Sequence, residues 1–258
     1  MSFRILHIAR NTFREAVRDR VLYNLVLFAL LMMAAAILFG QISIGIERVV
    51  IINLGLSAIS IFGSLIATFI GIGLVSKEIE KRTLYTVLAH PVRRWEFIAG
   101  KFCGLAGTLT VNTAVMTIGV FGALWYVAHP LTRGDLGLLG AIYCIALQLV
   151  ILTAIALLFS SFSSPVLSAV FSLALFVIGS FDQDLHAFAA MAHGATRAIV
   201  TAVAYVIPNF AALNFITAAS HGINVTAHAL LMNTAYAVLY CVTALAGATA
   251  IFERRNLK

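Results

Sequence analysis

Six stretches of the chain carry no charged side chain: 21 to 46, 49 to 76, 102 to 128, 136 to 181, 198 to 220 and 222 to 252. Each reaches or exceeds the ~20 residues that cross a ~30 Å hydrocarbon core as a helix. Their apolar residues run on without alternation, which excludes the strands of a closed barrel. The run from 136 to 181 is too long for one crossing, and "SSFSSP" at 160 to 165 supplies the turn residues that divide it. In the run from 198 to 220, "IPN" at 207 to 209 breaks any helix, because proline removes a backbone donor and clashes with the preceding turn. That run reads as short helices at the outer surface or as a re-entrant hairpin, where protein or water must satisfy the backbone. The pattern predicts an all-α integral membrane protein with six transmembrane helices, at about 21 to 39, 49 to 76, 98 to 128, 137 to 160, 164 to 181 and 227 to 251.

Composition agrees with the pattern. Hydrophobic residues make up 62% of the 258 and charged residues 10%, with a mean hydropathy of +1.02, far from the roughly 25% charged residues of a soluble domain. The balance of charge is basic, +7, and its placement argues for topology rather than nucleic acid. With both termini in the cytosol, fourteen of the seventeen Lys and Arg fall inside, leaving Arg48, Arg133 and Arg197 outside. This is the positive-inside bias of a bacterial inner membrane protein. Counting 198 to 220 as a seventh span would send the terminal "ERRNLK" to the wrong side. About twenty polar or amphipathic residues precede the first apolar run, which is long enough to span, so a cleaved signal peptide is not expected.

Before the first span, Ile5, Ala9, Phe13, Ala16 and Val17 share one helical face while Arg4, Arg14 and Arg18 lie elsewhere. Residues 1 to 20 therefore read as an amphipathic interfacial helix in contact with membrane lipids. In the second run Gly63, Ala67 and Gly71 recur every four residues, a stripe of small side chains that lets another helix approach closely. Asn53, Asn112, Gln148 and Asn233 are polar groups within spans, suited to bonding between helices or to lining a path. Cys103, Cys144 and Cys241 show no metal-like spacing. With no internal repeat or linker, residues 1 to 258 read as a single domain.

Charge is concentrated in "GLVSKEIEKRTLYTVLAHPVRRWEFIAGKF", residues 73 to 102, which holds nine formal charges between Lys77 and Lys101. From 77 to 88 the periodicity is helical: Ile79, Thr83, Leu84, Val87 and Leu88 share a face, and Lys77, Glu78, Glu80, Lys81 and Arg82 crowd the other. His90 and Pro91 end the helix; Arg93, Arg94 and Trp95 mark a membrane boundary. Cations alone suffice for topology, and Glu78, Glu80 and Glu96 add little to it. Mixed signs beside an apolar stripe suit a docking surface instead. The cytosolic segment from 77 to 96 thus lies between spans two and three.

This segment resembles the permease subunits of type-2 ABC transporters: E-x-E-x-x-T, a short apolar helix, a proline, basic residues and "GK". The basic amphipathic N-terminus, "FSSFSSPVLSAVFSLALFVIG" at 159 to 179, "IPNF" before the last span and the terminal "FERRNLK" extend the likeness over nearly the whole chain. It is particularly similar to six-span permeases associated with copper-site maturation in nitrous oxide reductase and with gliding motility. The resemblance implies a pair of permease subunits, here a homodimer, with two ABC ATP-binding subunits docked beneath, and leaves room for an accessory protein on the outer side. It makes the helix between spans two and three the coupling helix, with Glu78, Glu80, Arg82 and Thr83 as contacts or orienters and Leu84, Val87 and Leu88 as its packing side. It also implies that ATP and magnesium are bound by the partner subunit. The chain itself lacks a G-x-x-x-x-G-K-[ST] loop: before Gly100 and Lys101, Trp95 stands where the first glycine belongs, and Phe102 stands where the hydroxyl belongs.

Three other readings compete. A lipid-modifying membrane enzyme needs clustered ionisable groups at the membrane surface, and the segment from 77 to 101 is the one dense cluster. An ion-driven secondary transporter would carry ionisable residues deep in its spans, where His228 alone approaches. A structural membrane protein needs none of these. In the outer segment, 182 to 226, His186 and His193 accompany Asp182 and Asp184, but the spacing does not set four metal ligands on one helical face. "NVT" at 224 to 226 matches a glycosylation acceptor.

Overall fold

The structure, a computed structural model, describes residues 2–43, 45–80, 94–127, 133–181, 191, 197, 201 and 206–254. The regular elements are α1 (Ser2–Val17), α2 (Arg20–Ile42), α3 (Glu47–Glu80), α4 (Arg94–Val127), a 3-10 turn (Arg133–Gly137), α5 (Leu138–Ser160), α6 (Pro165–Ser180), a second 3-10 turn (Ala211–Leu213), α7 (Ile216–Ser220) and α8 (Ala227–Arg254). No strand occurs among the described residues, as the continuous apolar runs require. Five helical stretches are long and apolar enough to cross a membrane: Leu22–Ile42, Glu47–Gly73, Trp95–Val127, Asp135–Ser160 and Ala227–Ile251. The sixth expected span, 164 to 181, is the 16-residue α6, about 24 Å long and short of a ~30 Å core.

Several boundaries follow local chemistry. Helix α5 ends at Ser160, and Pro165 opens α6 with its preset φ, so "SSFSSP" does divide the long run. Across 206–226, Pro208 stands in non-helical backbone, and the two pieces that follow are three and five residues long; no helix of spanning length forms among these residues. Helix α3 runs 34 residues to Glu80, past the boundary expected at 76. Residues 77 to 80 continue it because neither glycine nor proline interrupts the chain there.

Helices α3 and α5 form the centre of the bundle and α2 and α8 its flanks. The small-residue stripe on α3 does what its spacing predicts. A Cβ on Gly63 would stand 2.7 Å from Leu149 Cδ1, and one on Gly71 3.4 Å from Ala156 Cβ, so α5 seats directly on the stripe. Ala67, between them, is buried.

The helices define two ends. One gathers the close of α2, the start of α3, the starts of α5 and α8, α7 and the close of α6. The other gathers α1, the start of α2, the close of α3, the start of α4 and the close of α8, where Phe97 and Ile98 pack with Ala248. Helix α1 lies along α4: Gly100 faces Ile8, Gly104 faces Thr12 and Gly107 faces Phe13. The contacts advance together, so the two helices run side by side in one direction. The apolar face expected to rest in lipid is therefore taken, in large part, by α4.

Candidate coupling segment and translocation surface

The charged segment sits between the two longest helices. Helices α3 and α4 each have 34 residues, about 50 Å apiece, some 20 Å more than a hydrocarbon core. At the end shared with α1, α3 runs past its apolar stretch, Glu47–Gly73, through Lys77 to Glu80, whereas the apolar stretch of α4, Trp95–Val127, takes in all of that helix but Arg94. Of the residues expected to form the coupling surface, Glu78 and Glu80 occupy the last turn of α3. Arg82, Thr83, Leu84, Val87 and Leu88 lie outside the described residues, as do His186, His193, Asp182 and Asp184.

The foot of α4 is unusual in chemistry. Glu96 is 3% exposed and Lys101 2%, and the Lys101 ammonium lies 5.6 Å from the Phe97 ring centroid, within reach of a cation–π contact. One turn on, a Cβ on Gly104 would stand 2.6 Å from Thr12 Cβ, and one on Gly100 2.7 Å from Ile8 Cβ. Gly100, which stands beside Lys101 like a fragment of a phosphate loop, is thus a packing glycine. The spacing of Gly100, Gly104 and Gly107 was the available signal for this contact.

The opposite end is fastened by polar bonds. Arg48, opening α3, pairs with the buried carboxylate of Asp135 before α5. Asn53 Nδ2 donates to Ser220 Oγ at 2.9 Å, joining α3 to α7. The Phe210 N–H donates to the Gly179 carbonyl at 3.0 Å, the Asn209 N–H to Tyr236 Oη at 2.8 Å, and Tyr240 Oη to the Val206 carbonyl at 3.1 Å. Gly179 has no room for a side chain, because a Cβ would collide with the Pro208 carbonyl. His228 is exposed at the start of α8, and Asn224 packs its amide against Gly137. Nothing in the sequence announces the pairing of Arg48 with Asp135, which stand far apart along the chain.

Of the four polar groups expected within spans, Asn53, Gln148 and Asn233 bond to other elements, while the buried Asn112 Nδ2 has no hydrogen-bond partner among the described residues. Gln148 Nε2 donates to Ser60 Oγ at 2.9 Å, tying α5 to α3 in a buried setting, and Asn233 Nδ2 donates to the Ala212 carbonyl at 3.3 Å. Asn112 is buried on α4. A cleft of about 440 Å³ lies instead between Phe69 and Ile72 of α3 and Val166, Ala169, Val170 and Leu173 of α6. Its lining is apolar, and Val166 and Val170 are 76% and 54% exposed, so the cleft opens on the outside of the bundle.

A helical bundle with five helices, among the described residues, long and apolar enough to cross a membrane has the architecture of an integral membrane protein. Residues 6–257 match the family model described as ABC-2 family transporter protein, and the chain belongs to that family. It is a transmembrane component of an ABC transporter, a class that implies an ABC ATP-binding partner. A comparison with curated proteins finds no match.

Proposed function

We propose that this chain is the non-catalytic permease half of an ATP-driven exporter. It works as a homodimer in a bacterial inner membrane and is coupled through residues 77 to 96 to a separate subunit that binds ATP and magnesium. The observation that carries the reading is the pair of helices α3 and α4, each about 50 Å long, which close and open on either side of the charged segment. Closure of the ATP-binding subunits would push on that segment and tilt both helices as levers, a rigid-body switch. The same end carries Arg10, Arg14, Arg20, Lys77, Arg94 and Arg254 on described helices and Arg18 in the turn between α1 and α2, which supports a cytosolic placement with both termini inside. With α6 as the sixth, locally thinned crossing, the six-span topology of the copper-site and gliding branch is kept.

The route for substrate runs along the cleft between α3 and α6. Because the cleft opens sideways, a second wall is needed to close it, and a second copy of the chain supplies that wall. In the coupling segment, Glu78, Glu80, Arg82 and Thr83 contact or orient the ATP-binding subunit, and Leu84, Val87 and Leu88 pack the helix. The test is purification in mild detergent with the products of neighbouring genes. An ATPase should come down with the wild-type chain, and Leu84→Asp or Glu78→Lys should lower its recovery about tenfold, the loss of a central interface contact. If no ATPase accompanies the wild type, or both variants retain it in full, the coupling reading is abandoned.

A further inference from the structure

The polar side of α1 has its own architecture. Asn11, Arg14 and Glu15 follow at the spacing that places side chains on one helical face, and Arg18, in the turn just past α1, continues that spacing. With Asp19, in the turn before α2, they line a concavity of about 800 Å³. It borders the face of Ile8, Thr12 and Ala16, of which Ile8 and Thr12 meet α4 and Ala16 is fully buried. The first span begins at Leu22, so this concavity stands at the water boundary of a membrane crossing.

Its charges are ordered. Arg14 and Arg18 stand four residues apart, and Glu15 and Asp19 repeat that interval one residue on. A surface that merely held the helix to anionic lipid would carry cations alone, since each carboxylate repels such a headgroup. Two guanidiniums beside two carboxylates match a ligand with a phosphate and a cation a few bonds apart. Guanidinium forks bond phosphate oxygens strongly, and carboxylates take the hydrogens of a primary ammonium. We propose that the concavity binds the phosphoethanolamine headgroup of a membrane phospholipid, with phosphate at Arg14 and Arg18 and ammonium at Glu15 and Asp19. Asn11 offers a further donor at its edge. The proposal requires only that α2 crosses the membrane and is independent of coupling and of the direction of transport.

The full chain in mild detergent, titrated with dioleoyl phosphatidylethanolamine, phosphatidylcholine or phosphatidylglycerol and observed by native mass spectrometry, provides the test. The ethanolamine lipid should be retained at about tenfold lower concentration than the choline lipid, whose quaternary ammonium has no hydrogen to donate. R14Q/R18Q should abolish that retention, while E15Q/D19N should erase the ethanolamine preference and raise binding of the glycerol lipid. Four of the five side chains are exposed and the fifth is partly so, and an unchanged gel-filtration profile verifies that the variants fold. Equal retention of the three lipids by the wild type, or a preference that survives both double variants, overturns the proposal. A preference for the glycerol lipid overturns it in favour of a plain anionic anchor. Soluble phosphoethanolamine should compete only weakly; displacement of the lipid at matching concentration would assign the site to the free headgroup and overturn the lipid source.

Discussion

The two ends of the bundle differ in the contacts most prominent at each: hydrogen bonds and an ion pair at one, close glycine packing beside a buried Glu96 and Lys101 at the other. At the end where α2 turns into α3, donors and acceptors meet: Arg48 with Asp135, Asn53 with Ser220, and the backbone of 206–210 with Gly179, Tyr236 and Tyr240. At the basic end, glycines on α4 let α1 settle against them. Directional bonds fix a register and resist sliding, because each leaves a partner without its bond when it breaks, most costly where that partner is buried, as Asp135 is. Shape packing also resists separation but has no single bonded position.

The largest effect should come from the stapled end. Asp135→Ala leaves Arg48 without its carboxylate partner and should cost about 2 to 4 kcal/mol, read as a fall in the detergent melting temperature. Arg48→Met with Asp135→Leu should recover much of the loss. If the single variant melts like wild type, the pair is not a fastener and the comparison loses its main support. Next is Gly104→Leu, which drives a branched side chain into the Thr12 Cβ and should cost about 1 to 3 kcal/mol. Hydrogen exchange should then accelerate in α1 and leave the start of α8 unchanged; acceleration at both ends would mean that they form one cooperative unit. Smallest is Gln148→Leu, which removes the bond to Ser60 and should cost about 0.6 kcal/mol, the average for such bonds between membrane helices.

Much of this was legible in the amino acids because it depended on short-range rules. Uncharged runs located the crossings, Pro165 opened α6, Pro208 broke the run after 198, and the four-residue recurrence of Gly63, Ala67 and Gly71 marked where α5 would sit. Other features depended on packing partners that no local pattern names. The apolar face of α1 looked suited to lipid, yet a glycine stripe on a helix ninety residues later was equally complementary to it, and protein contact won. The bounds of α6 were read to within one residue at each end, yet its 16 residues are short of a full crossing. The coupling residues were proposed from charge pattern and resemblance, and of these Glu78 and Glu80 are on the described helix.

The surplus length of α3 and α4 has a mechanical meaning. A stiff rod about 50 Å long, tilting by about 5° around a fixed end, carries its tip roughly 4 Å. The pivot would be the Arg48 end of α3, and the tip is the last turn before the charged segment. The cleft beside Phe69 and Ile72 lies part-way along the rod, so its walls travel less than the tip but with proportionally greater force. The cleft lies about two-thirds to three-quarters of the way from the pivot to the tip, so most of the movement at the water end is passed on to the jaw in oil, and the hinge stays where least movement is wanted.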